Sequence, residues 1–347
     1  MCINRVIVIS FFVLITGLIG GCRKDKPEEE NNPAITIGDK GVFITNEGNF
    51  QFGNARISYY SPATGAVNNN LFEDVNGRAL GDVCQSMYIF NGKAYIVLNN
   101  SGNIEVVNAY SFASTASISG FNSPRYFMPV SNAKAYVSDL YAGQIAIVDL
   151  NAGSISGHIS CPGWSEEMRL VYGKVFVTNQ LRTSLYVVHA ATDAIIDSIN
   201  IGYGANSIIE DRYGKLWVLC SDLNNQHPAK LHRINPITHS IEQSFVFAEP
   251  HANPWRLKVN GSLDTLYYLN NHVFRMPIEA VSLPETPFIN AGNRNFYGLG
   301  ICPLTSEVYV SDAIDYVQQG VVFRYNSNGS QINYFTAGII PGDFWFW

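Results

Sequence analysis

From Gly41 to Trp347 the apolar residues fall in short runs, each broken by Gly, Asn, Asp, Pro or Ser. Runs of this length bounded by turn residues read as β-strands and are too short for helices. Seven of them align: "VFITN" (42–46), "AYIVLN" (94–99), "AYVSD" (135–139), "VFVTN" (175–179), "LWVLCSD" (216–222), "LYYLN" (266–270) and "VYVSD" (308–312). Each has an aromatic second residue and an Asn or Asp at its end. The aromatics are Phe43, Tyr95, Tyr136, Phe176, Trp217, Tyr267 and Tyr309, spaced by 52, 41, 40, 41, 50 and 42 residues. A period near 40 with four short strands per unit is the mark of a β-propeller blade. The pattern predicts an all-β, seven-bladed propeller.

Residues 123–161 show one unit most cleanly: "PRYFMPV", a turn at "SNAK", "AYVSD", a loop at "LYAG", "QIAIVDL", a turn at "NAGSI" and a weak outer strand "SGHIS". The first hairpin turn recurs as Asn91-Gly92-Lys93, Tyr172-Gly173-Lys174 and Tyr213-Gly214-Lys215, where Gly supplies the positive φ of a two-residue hairpin. Third strands recur as "NIEVVNA", "QIAIVDL", "SLYVVHA", "KLHRINP" and "VVFRYNS". Their alternation is only partial, as expected when both faces of a blade pack on neighbours. Six units also carry an apolar first strand: "GDVCQSMYIF", "NSPRYFMPV", "PGWSEEMRLV", "GANSIIED", "NPWRLKV" and "NFYGLGI". The earliest repeat has none before "VFITN", and the missing copy stands at the other end as "IPGDFWFW". The C-terminal segment should therefore be the innermost strand of the first blade, closing the ring and removing open sheet edges. On this reading Phe344-Trp345-Phe346-Trp347 is core.

The residues ahead of the repeats belong to another class. Arg5, the apolar run Val6 to Gly20 and then Gly21-Cys22 have the parts of a signal peptide, and the run falls short of the ~20 residues needed to span a bilayer. "LIGGC" resembles a bacterial lipobox, which implies cleavage before Cys22 and lipidation of its thiol. Residues 1–21 are then a lipoprotein signal, and 22–40, including "RKDKPEEENNPA", a flexible tether. The run Glu28-Glu29-Glu30 resembles the acidic export signal of surface lipoproteins in some Gram-negative anaerobes. Residues 41–347 form a single domain. With six cysteines in all, four remain once Cys2 and Cys22 are set aside. Cys84, Cys161, Cys220 and Cys302 have no zinc spacing, and Cys84, Cys220 and Cys302 read as small core hydrophobes.

A net charge of −6 argues against a nucleic-acid partner. No HExxH, GxSxG or Walker loop is present, "GYGANS" (202–207) misses the dinucleotide fingerprint, and the seven histidines do not pair at metal spacing; His227 and His232 read as satisfied or solvated. An enzyme is not excluded, because propeller active sites are assembled from distant loops. The informative signal is loop asymmetry. Loops joining second to third strands share one face with the loops between blades, and they are long and polar: "NEGNFQFGNAR", "NNSGN", "DLYAG", "NQLRTS", "SDLNNQHPAK", "NNHV" and "DAIDYVQQG". Candidate ligand contacts from them are Asn46, Glu47, Asn49, Phe50, Asn99, Asn100, Asp139, Tyr141, Asn179, Arg182, Asp222, Asn224, Asn270, Asp312 and Tyr316. The inter-blade segments add Arg125, Tyr126, Trp164, Asn206, Trp255, Arg256, Phe296 and Tyr297. Amides, aromatics and a few arginines on one concave surface suit a large polar ligand. The competing reading of the Asn and Asp residues is that they satisfy backbone at strand ends, as Asx turns.

Lipobox, acidic tether, "GVFITNEGNF", seven Tyr-Val-type repeats and the closing "IPGDFWF" together resemble the YncE/DUF5074-type propeller lipoproteins. Their best-understood members are the BtuG-type surface proteins that capture cobalamin. The resemblance covers nearly the whole mature chain, and it implies an outer-membrane, cell-surface lipoprotein that binds a corrinoid without enzymatic turnover. It further implies delivery to a TonB-dependent outer-membrane transporter, a monomer outside that complex, and cobalamin as cargo with no cofactor. No ligand-contacting residue transfers, because the family's binding loops offer no short motif to match. The alternative on the same face is a lyase-like enzyme or a glycan-binding accessory protein, for which Glu47, Asp222, Asp312 and Asp315 are the candidate acids.

Overall fold

Turn chemistry sets the hairpins. At Asn91-Gly92 both residues have positive φ (50° and 72°), as do Tyr172 and Gly173 (50° and 71°), the geometry whose twist matches that of the flanking strands. The computed structural model describes Ile37 and residues 40–347. The expected signal segment 1–21, Cys22 and the tether 22–40, apart from Ile37 and Lys40, lie outside the described residues. Seven antiparallel sheets follow one another along the described chain, six of four strands and one of three. They are the blades of a seven-bladed β-propeller, numbered here in chain order from the one containing Val42–Asn46.

Blade 1 closes the ring as the repeat count predicts. Its innermost strand is Pro341–Phe346, antiparallel to Val42–Asn46 with Val42 opposite Phe346, Phe43 opposite Trp345 and Ile44 opposite Phe344. Beyond the strand, the Trp347 N–H donates to the Gly41 carbonyl at 2.9 Å. Phe344 is buried, whereas Trp345, Phe346 and Trp347 are half-buried, so the terminal aromatics are core on one side only. Trp345 lies 4.8 Å from the Tyr88 ring and Trp347 5.1 Å from that of Tyr110.

The two long repeat spacings have separate causes. In blade 1 a helix, Leu71–Asn76, follows a two-residue outer strand and buries Leu71 and Phe72. In blade 5 the loop between Leu216–Cys220 and Lys230–Asn235 is as long as its counterpart in blade 1 and longer than those of the other blades, and the segment 247–254 leading to blade 6 is long as well. Blade 6 is the three-stranded sheet. Its outer strand is reduced to one bridge between Val273 and Ile289, because Pro284 and Pro287 cannot donate to a ladder. Its loop after Thr265–Asn270 is also tight, turning at Asn271 alone with φ of 59°, so "NNHV" is not one of the long loops.

The core consists of seven apolar layers, one between each pair of adjacent blades. Second strands are therefore buried on both faces, as in Val42–Asn46 and Leu216–Cys220. Outer strands alternate, as in Ser154–Ser160. Cys84, Cys161 and Cys220 are buried free thiols and Cys302 is half-buried. Among the described residues no helix is long and apolar enough to cross a membrane.

Candidate functional site: a bowl built from strand bulges

Every innermost strand slips register near its loop-rich end (Pro124–Ser131 slips a second time, between Pro129 and Ser131). The shifts fall between Cys84 and Ser86, Pro124 and Phe127, Ser165 and Met168, Ala205 and Ser207, Trp255 and Lys258, and Phe296 and Leu299. In blade 1 the shift skips Gly342. A β-bulge leaves its extra residues unpaired and re-aims their side chains. The residues so displaced include Gln85, Arg125, Tyr126, Glu166, Glu167, Asn206, Arg256 and Tyr297, and all eight line one cavity of about 230 Å³. Trp164, Trp255, Gln180, Asn253, Leu223, Glu47, Ser207 and Ser221 complete its wall.

Charge is arranged in two groups. Arg125 donates from Nε and Nη2 to the two Glu166 carboxylate oxygens at 2.9 and 2.6 Å, and from Nη1 to Gln85 Oε1 at 2.5 Å. The Trp164 indole N–H donates to the same carboxylate at 2.5 Å. This network ties blades 2, 3 and 4 together. Burial works against the Arg125 charge, but the Glu166 carboxylate outweighs it and holds the guanidinium protonated. On the other side, Arg256 Nη2 stands 3.8 Å from Glu47 Oε1, and the Tyr297 hydroxyl donates to that oxygen at 2.8 Å. Gly342 makes room for this pair: a Cβ there would sit 2.9 Å from Glu47 Oε1 and 3.3 Å from Arg256 Nη2. Burial pushes the Glu47 carboxyl up, with the Arg256 charge pulling the other way.

Glu167 forms the floor. It accepts from the Ile208 N–H at 3.0 Å, and burial pushes its carboxyl up to about 7 against the opposing charge of Lys258. Tyr126 and Glu167 also line a second cavity, about 240 Å³, which continues below past Lys258 and Asp343, an ion pair at 3.1 Å. Burial raises the Tyr126 and Tyr297 phenols as well.

Of the residues singled out in the sequence, the bowl gathers Glu47, Arg125, Tyr126, Trp164, Asn206, Trp255, Arg256 and Tyr297. Others have their polar atoms engaged at strand ends, the Asx-type role. Asn46 bonds the Ile44 and Arg56 carbonyls, Asn99 the Pro124 carbonyl and Asn179 the Pro162 carbonyl. Asp139 accepts from the Tyr141 and Ala142 N–H groups, Asp222 from Asn224 N–H and from His227, and Asp312 from the Asn295 and Ile314 N–H groups. Asn270 accepts from the Asn253 N–H, and Phe296 is buried between blades 6 and 7. On the loops, Asn49 donates to the Tyr316 carbonyl and Asn100 to Asp82, while Phe50, Tyr141, Arg182, Asn224 and Tyr316 are exposed. Of the four candidate acids only Glu47 reaches the bowl; Asp315 accepts from Val317 and Gln318 in its own loop. His232 is satisfied by Ser244 and the Ile201 carbonyl.

Sequence reasoning missed Gln85, Glu166, Glu167, Gln180, Ser207, Ser221, Leu223 and Asn253. A signal for two of them exists. Gln85, Arg125, Glu166, Asn206, Arg256 and Tyr297 occupy one column of the first-strand alignment, one polar residue from each of blades 2 to 7. Among the described residues no three His, Cys, Asp or Glu side chains cluster as a metal site.

A family model described as "Domain of unknown function (DUF5074)" matches residues 40–340. No curated protein matches the chain. Among solved structures, the chain is similar to a quinonprotein alcohol dehydrogenase-like protein from Bacteroides thetaiotaomicron, at 13% identity over 90% of this chain and 79% of the other, with a TM-score of 0.70. A candidate 6-phosphogluconolactonase from Bacteroides fragilis gives 11%, 91%, 99% and 0.66. A functionally unknown protein from Desulfotomaculum acetoxidans gives 12%, 89%, 98% and 0.64. At these identities the likeness shows the fold alone.

Proposed function

We propose, on the premise that the chain belongs to the DUF5074 family, that this propeller is a non-enzymatic capture protein for a large, polar, uncharged nutrient, with a corrinoid such as cobalamin as the first ligand class. The observation that carries the reading is the convergence of the bulges of blades 2 to 7 on one bowl. Amide, aromatic and guanidinium groups line it, and two of its charges are already tied to each other. A ligand rich in amides meets matching donors and acceptors there, and unmatched polar groups are what such a site rejects. At about 230 Å³ the bowl holds one appended group of a ligand that size, since drug-sized ligands already occupy roughly 300–1,000 Å³. The flat body would lie over the surrounding loops, in which Phe50, Phe52, Tyr141 and Tyr316 are exposed.

Anchoring through a lipid on Cys22, display at the outer-membrane surface and hand-over to a TonB-dependent transporter belong to the same proposal. They are supported by the "LIGGC" signal, the acidic tether and the family resemblance of "NEGN" and "PGDFWF". The test is thermal denaturation with cobalamin, cobinamide and neutral oligosaccharides. A ligand at about 100-fold above its Kd stabilises the native state by ~2.7 kcal/mol, and absence of any shift with the corrinoids at ~100 µM would remove that class for sites of ~1 µM or tighter.

One observation favours a second reading. Glu167, held near neutrality beside Tyr126 at the base of the bowl, has the protonation behaviour of a general acid or base. A lyase would release unsaturated sugar from uronate-containing oligosaccharides, and loss of that release in Glu167→Gln would favour the enzyme over the capture protein.

A further inference from the structure

The two arginines of the bowl are not equivalent. All three nitrogens of Arg125 have close acceptors in Glu166 and Gln85. Arg256 is 5% exposed, yet its Nε has no partner. Its Nη1 reaches only the Tyr126 hydroxyl, at 3.4 Å, and its Nη2 is 3.8 Å from Glu47, an ion pair too long for a hydrogen bond. The Trp255 and Tyr297 rings flank the guanidinium at 5.0 and 5.7 Å. A guanidinium carries five N–H donors and no acceptor, and leaving donors buried without partners is costly. The two rings hold Arg256 in place, and its Nη groups are left with only these long contacts where the residue lines the cavity.

Glu47 and, further off, Asp343 offset the Arg256 charge, and Glu47 does so without a hydrogen bond to it, its oxygen accepting from Tyr297 at 2.8 Å. An incoming phosphate or carboxylate would meet the Glu47 carboxylate beside Arg256. Like charges drawn together in a site shielded from water repel far more strongly than in bulk solvent. An uncharged oxygen meets no such repulsion.

Resting on the capture reading, we infer that Arg256 reads the ligand through an uncharged oxygen acceptor, and that Glu47 is the selectivity residue that turns anions away. The test needs no knowledge of the natural ligand. Inorganic phosphate is titrated into the folded protein while the fluorescence of Trp164 and Trp255 is followed, in wild type, Glu47→Gln and Glu47→Gln/Arg256→Lys. Glu47→Gln is isosteric and keeps an acceptor for Tyr297. It should gain saturable phosphate binding by at least tenfold, about 1.4 kcal/mol, and the added Arg256→Lys should abolish the gain. Tyr297→Phe withdraws the hydroxyl that favours the charged form of Glu47 and should move binding the same way, which covers poor folding of Glu47→Gln. Equal phosphate affinity in wild type and Glu47→Gln, or a gain that survives Arg256→Lys, would overturn the inference. Cobinamide and a neutral oligosaccharide distinguish an amide carbonyl from a hydroxyl: whichever binds wild type should weaken at least tenfold in Arg256→Lys, and undiminished binding counts against the role of Arg256. If neither binds, the capture reading fails while the phosphate titration still decides the role of Glu47.

Discussion

Replacing Glu167 by Gln should stabilise the protein at neutral pH and leave it unchanged in acid. Burial raises this carboxyl from 4.5 to about 7, and each pH unit between the folded and unfolded pKa is worth about 1.4 kcal/mol. Below pH 4.5 the group is protonated in both states and contributes no pH-dependent term. As pH rises the unfolded chain ionises first, so the folded state loses stability progressively until Glu167 itself ionises near 7. The loss amounts to about 3 kcal/mol. Glutamine cannot ionise and can still accept from the Ile208 N–H, so it escapes the loss. Part of the gain is offset because Lys258 loses an attractive partner, although it keeps Asp343 at 3.1 Å. The net expectation is about 2–3 kcal/mol in favour of Glu167→Gln at pH 8 and near zero at pH 4. Denaturant unfolding of both proteins from pH about 4 to about 8 measures it, and the difference curve cancels every other titrating group. A flat difference between pH 4.5 and 7, or one that turns against the variant as pH rises, would refute the argument by showing that the carboxylate is stabilised where it lies.

Three further outcomes are expected. Deleting 341–347 strips the partner from Val42–Asn46 and removes buried Phe344; one buried aromatic alone accounts for ~3–5 kcal/mol of the ~5–15 that hold a domain together, so the truncated chain should be insoluble or unfolded by circular dichroism, and a soluble, folded product would contradict ring closure. Arg125→Met leaves buried Glu166 without its cation and should cost about 3–5 kcal/mol, with Arg125→Met/Glu166→Met recovering much of it; thermal denaturation of the three proteins decides, and equal stability of both variants would count against the network. Cys22→Ala should yield a soluble, folded protein that no longer incorporates labelled palmitate, and undiminished membrane retention would end the lipid-anchor reading.

The blade count and the closure by the C-terminal strand were legible in the chain because a blade is a local pattern. Its apolar second strand, its hairpin glycines and its aromatic anchor recur about every 40 residues, and the one missing first strand had a single candidate at the other end. The bowl was only half legible. Composition pointed to the loop-rich face and named Arg125, Trp164, Arg256 and Tyr297, but it could not separate Asn206, which lines the bowl, from Asn46 or Asn179, which serve their own strand ends. Nor could it distinguish saturated Arg125 from incompletely partnered Arg256, or single out Glu167 as the carboxyl that burial raises to about 7. Those properties belong to no residue alone. A bulge re-aims a side chain only against the register of its neighbouring strand, and a hydrogen bond or a pKa depends on what residues some 40 positions away bring to the same point and on how much water they exclude. Local periodicity thus determined the blades, while the chemistry of the bowl arose only when the ring closed and juxtaposed them.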